Sequence, residues 1–127
     1  MIAGRVLASG EAVVTIAVRG PNGQARVEAM VDTGFNDQLT LPPWVIERLG
    51  LKYETEAFYQ LADGIKSGTR IFTGQIEWHD AWQEAAIIEI NHDPLLGMGA
   101  MKGSSLYVEV GDGGRVEIQP LPSNGKK

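Results

Sequence analysis

Met30-Val31-Asp32-Thr33-Gly34-Phe35-Asn36-Asp37-Gln38-Leu39-Thr40-Leu41-Pro42 is the stretch on which the fold of this chain turns. Apolar residues run up to an Asp-Thr-Gly step, a polar break follows, and Leu39-Thr40-Leu41 returns to strand-forming residues. A carboxylate therefore stands at the end of an apolar strand, just ahead of a glycine that lets the chain turn sharply. Alone, the step describes an ordinary strand end, because Asp and Gly are common turn formers. A carboxyl group in a structured turn is also a place where chemistry is found. The flanking chain has to distinguish the two.

Upstream, Ala12–Val18 is an apolar strand and Ala25–Val31 alternates Val27, Ala29 and Val31 with Arg26, Glu28 and Met30. Asn22-Gly23 between them is a strong hairpin signal, so a hairpin delivers Asp32. Ile2–Ala8 is expected as an edge strand. Downstream, Pro42-Pro43 at the entry and Gly50 at the exit frame a two-turn helix with Val45, Ile46 and Leu49 on one face. Trp44 is expected to pack.

Thr55–Leu61 and Lys66–Trp78 form a long hairpin with its tip near Ala62-Asp63-Gly64. Its length exceeds what a core hairpin needs, so the tip is expected to project, as a lid or as an ordinary exposed turn. A turn at residues 79–82 leads to Glu84–Ile90, expected to be buried on both faces. The apolar, glycine-ended segment Leu95–Gly103 is expected as a short helix. Ser105–Val110 and Arg115–Ile118 flank the glycine-rich turn of a closing hairpin. Short strands and glycine- or proline-marked turns make the chain all-β, or mostly β with one or two short helices. Residues 1–119 are expected to form one domain and residues 120–127 a flexible tail.

Composition narrows the chemistry. A net charge of −5 argues against a nucleic-acid partner, which needs clustered Lys and Arg. The chain has no cysteine, which removes disulfides, thiolate catalysis and cysteine-ligated zinc together. His79 and His92 lack metal-ligand spacing, Ser104-Ser105 lacks a nucleophile elbow, and no glycine run forms a phosphate loop. Neither metal nor cofactor is expected. No apolar run reaches the length of a membrane span, and the first residues lack the blocks of a signal peptide, so the expectation is a cytoplasmic protein without a membrane partner.

A near-repeat runs through these elements. In the first half a hairpin leads to Val31-Asp32-Thr33-Gly34, a strand and a short helix; in the second, a hairpin and strand lead to Leu95-Leu96-Gly97 and a short helix. Only the first half carries an acid. With Leu39-Thr40-Leu41-Pro42 and Ala62-Asp63-Gly64 in their places, the ordered set resembles a retropepsin-like aspartic protease of the small single-domain bacterial type, over about Ala12 to Ile118.

The resemblance implies a closed barrel-like domain with one flap hairpin per subunit and an active site on a two-fold axis. It implies a homodimeric aspartic endopeptidase acting on peptides or proteins, with one Asp32 from each subunit. Thr33 would brace the two active-site loops, and Gly34 would offer backbone groups to substrate. Phe35, Asn36 and Asp37 would contact substrate, and Ala62, Asp63 and Gly64 would close over it. Phe35 is bulkier than the small residue of viral members, and Asn36 replaces their acid. The rival reading is a catalytically silent relative that binds peptides or serves as a regulatory module, because a groove can bind without cutting.

Overall fold

The computed structural model describes residues 1–60 and 64–122. The chain is mostly β, as its punctuation predicted. Its elements in order are β1 (Ile2–Val6), β2 (Ala12–Gly20), β3 (Gly23–Asp32), β4 (Leu39–Leu41), α1 (Pro43–Leu49), β5 (Lys52–Gln60), β6 (Lys66–Trp78), β7 (Ala81–Glu89), β8 (Leu95–Gly97), α2 (Met98–Met101), β9 (Ser104–Val108) and β10 (Arg115–Pro120).

These strands form one sheet in the order β5-β6-β7-β4-β8-β3-β2-β1-β10-β9. The sheet also returns on itself, because Val18 and Arg19 of β2 pair with Ile76 and Gln75 of β6. Six strands, β6, β7, β4, β8, β3 and β2, thus follow one another around a ring whose closing seam is two residue pairs long. Side chains alternate across each strand, so one face of the ring turns inward. That interior holds Val14, Ile16, Val18, Leu39, Leu41, Phe72, Ile76, Ile87 and Leu96, all buried. The α1 helix covers one side with Val45, Ile46 and Leu49; Gly50 caps it in the left-handed conformation (φ 66°) that other residues adopt only at a cost.

Several expectations need correction. β1 is not an edge strand: it pairs with β2 on one side and β10 on the other. The first hairpin turns on Pro21-Asn22, with Gly20 opposite Gly23, because proline supplies the first central residue of a turn and moves the loop one position back. The β7 strand is buried on both faces only near its end: Ala85 and Ile87 face the core and Ile88 is buried on the opposite face, while Glu84 and Ala86 are exposed. Trp44 is 65% exposed, and Trp78, at 4%, is the core tryptophan. Of the helix expected over Leu95–Gly103, only Met98–Met101 is helical; the first three residues are drawn into β8 by pairing with β3 and β4.

The β5–β6 hairpin is paired from Lys52↔Thr73 to Gln60↔Lys66, whereas β7 joins β6 only from Ile71 onward. Beyond that point the hairpin is two-stranded. Its base is held to β7 by the Arg70–Glu89 ion pair at 2.7 Å and by the Thr69 hydroxyl, which donates to the Glu89 carbonyl at 2.7 Å. At the other end of the chain β10 continues through Pro120, opposite Ser104, and residues 123–127 lie outside the described residues.

Candidate active site

β3 ends at Asp32, and β8 lies beside it in parallel with Met30 opposite Leu95, Val31 opposite Leu96 and Asp32 opposite Gly97. The two halves of the near-repeat are therefore direct neighbours, in register. Where one half presents a carboxylate, the other presents a glycine. Asp32 is half-buried, and its Oδ1 accepts the Gly34 N–H at 2.9 Å. The Phe35 N–H donates to the Asp32 carbonyl at 3.1 Å, closing a tight turn around Thr33 and Gly34, both exposed.

The loop after this turn is stitched to the second half by backbone bonds. The Met98 N–H donates to the Phe35 carbonyl at 2.7 Å, the Gly99 N–H to the Asp37 carbonyl at 3.1 Å and the Gly97 N–H to the Gln38 carbonyl at 2.9 Å. Such close passage needs glycine. A Cβ on Gly97 would overlap the Asp37 carbonyl and sit 2.5 Å from Phe35 Cδ2, and one on Gly99 would lie 2.7 Å from the Asn36 carbonyl. The bulk of Phe35 is thus accommodated against Gly97. Gly99, which as a sequence feature only weakens a helix, is a close-approach position.

Two polar side chains complete the frame, and neither was among the expected site residues. Thr40 is fully buried, and its Oγ1 accepts the Leu95 N–H at 2.8 Å. Gln38 Oε1 accepts the Ala86 N–H at 2.6 Å. Each satisfies a backbone donor that the strand ladder leaves over, so the polar atoms fix the register of β4, β7 and β8. A Thr between two buried leucines was the one available signal.

A family model described as an aspartyl protease matches residues 13–100. The chain belongs to the retropepsin-like aspartyl protease family. No curated protein and no solved structure matches it. The matched segment runs from β2 to α2, and so contains both halves of the near-repeat and the β5–β6 hairpin between them.

Within this member of the family the expected site residues separate. Asp32, Thr33 and Gly34 share one turn. Asp32 also lines a cleft of about 480 Å³ with Met30, Leu95 and Pro94. Phe35, Asn36 and Asp37 do not line that cleft; Phe35 is half-buried against Gly97, and Asn36 and Asp37 are exposed. Gly64 is exposed with φ 87°. Ala62 and Asp63 lie outside the described residues. No group of His, Asp and Glu with the geometry to hold a metal ion occurs among the described residues, and no described helix is long and apolar enough to cross a membrane.

Proposed function

We propose that this chain is an aspartic endopeptidase whose active site consists of Asp32 from each of two copies. The observation that carries this reading is the register of β3 against β8: the second half sets Gly97, not an acid, beside Asp32, so one chain supplies one carboxylate of the pair. Hydrolysis of an amide without metal or covalent intermediate needs one group to take a proton from water and another to give one to the carbonyl oxygen. As is general for aspartic proteases, two carboxyls about 3 Å apart share a single proton and supply both roles. A symmetric dimer brings identical residues together at its axis.

The exposure of Thr33 and Gly34 supports this assembly, since groups that meet a second copy or a substrate must be accessible in the single chain. Thr33 would brace the paired loops and Gly34 would present backbone to the peptide. The two-stranded outer part of the β5–β6 hairpin, with Phe58 exposed on it, would serve as the flap that excludes water from the dyad.

The test is a mixing experiment. Asp32→Asn is expected to abolish peptide cleavage while leaving the fold intact. When it is mixed and re-equilibrated in equal amounts with the native chain, activity should fall to about a quarter, because only native pairs hold two acids. A fall to about half would mean that each chain works alone, and would overturn the shared dyad.

A further inference from the structure

The cleft that begins at Asp32 points to a substrate class. β3 places Glu28, Met30 and Asp32 on one face by strand alternation, so the cleft runs back along the strand from the acid. Its apolar wall is made by Val13, Met30 and Leu95, and its exposed rim by Glu11, Glu28, His92 and Asp93, so acids outnumber the one imidazole. At about 480 Å³ it falls within the roughly 300–1,000 Å³ typical of ligand sites. Glu28 is neutralised by Arg5 at 2.9 Å, and Glu11 accepts a hydrogen bond from the Ser9 hydroxyl at 3.1 Å. Asp93 makes no hydrogen bond or ion pair with a described residue. An apolar wall ending in exposed carboxylates, of which Glu11 and Asp93 have no ion-pair partner among the described residues, suits a side chain with a hydrocarbon stem and a cationic head.

We propose that this cleft is the pocket for the substrate residue beside the scissile bond and that it selects lysine or arginine there. The proposal rests on the protease reading above, because it places the cut bond at Asp32. Glu11 and Asp93 are the specificity-determining groups: an acidic residue would meet like charge, and a purely aliphatic one would leave the carboxylates without a partner.

Two measurements test it on the full chain. In a digest of a diverse peptide library, Lys and Arg should be enriched at least tenfold at one position flanking the cut. The Glu11→Gln, Asp93→Asn double variant should lose most of that enrichment, and Asp93→Lys should move it towards Glu. Cuts flanked by Leu or Phe without basic enrichment would overturn the proposal, as would a preference that the double variant leaves intact. Separately, fluorescent peptides with a central Arg, Leu or Glu are titrated into Asp32→Asn by anisotropy. The Arg peptide should bind at least tenfold tighter than the others, and lose that advantage in the triple variant. Equal binding of the three would overturn it. A chain that cuts no peptide yet still prefers the Arg peptide would fail the protease reading and keep the cleft's selectivity.

Discussion

Asp32 sits at a point where the backbone has no slack. Its carboxylate is oriented by the Gly34 N–H, and the loop behind it passes so close to Gly97 that no side chain fits between them. Gly97→Ala is therefore expected to destabilise the chain by about 3 kcal/mol, because the new methyl meets the Asp37 backbone rather than a side chain that can swing away. Urea denaturation checks this. The loop carrying Asp32 should loosen with it, so activity should fall more than the folded fraction does. Thr40→Val keeps the shape of the side chain but removes the acceptor for the Leu95 N–H. The expected cost is about 1–3 kcal/mol, the penalty for a buried donor left unpaired. A shortened urea midpoint with an unchanged slope is the signature.

At the scale of elements, the β6–β7 hairpin turns on two non-glycine residues with positive φ. Trp78 pairs with Ala81, and the two residues between, His79 and Asp80, have φ 51° and 69°, the geometry that matches the twist of a tight hairpin. Sequence marked a turn here but gave no hint of its type, since neither residue is glycine. The His79 Nε2 lies 2.8 Å from Ser104 Oγ, and its Nδ1 is buried without a partner among the described residues. Burial lowers the His79 pKa below 6.5, and the N-terminal ammonium adds to this against the opposing pull of Asp80. The folded chain thus binds fewer protons at this site than the unfolded chain does. Stability is full above about pH 6.5, falls as pH drops below it, and levels off once the folded site is also protonated. His79→Asn retains a residue that tolerates positive φ and has no charge to gain. Its denaturation midpoint should change less than that of the native chain between pH 8 and pH 5.

For the molecule as a whole, one sheet curls into a ring, and that ring brings together segments far apart in the chain. The activity proposed here adds a further level, because it depends on association. Specific activity should fall on dilution through the dimer dissociation constant, and sedimentation should show the same midpoint. Sequence alone determined the strand-and-turn punctuation, the α1 helix between its prolines and Gly50, and the Asp-Thr-Gly turn with its near-repeat at Leu95-Leu96-Gly97. These are local signals: alternation, capping residues and turn formers act within a few positions of one another. Only the tertiary structure decided that β1 is interior, that Leu95–Gly97 is strand rather than helix, and that Gly99 is a contact position. It likewise decided that Asp32 shares a cleft with Glu11 and Asp93, about 20 and 60 residues away. Pairing between strands overrides local preference because each ladder bond satisfies a backbone group that burial would otherwise leave unpaired. That pairing depends on residues too distant in sequence for any local pattern to record.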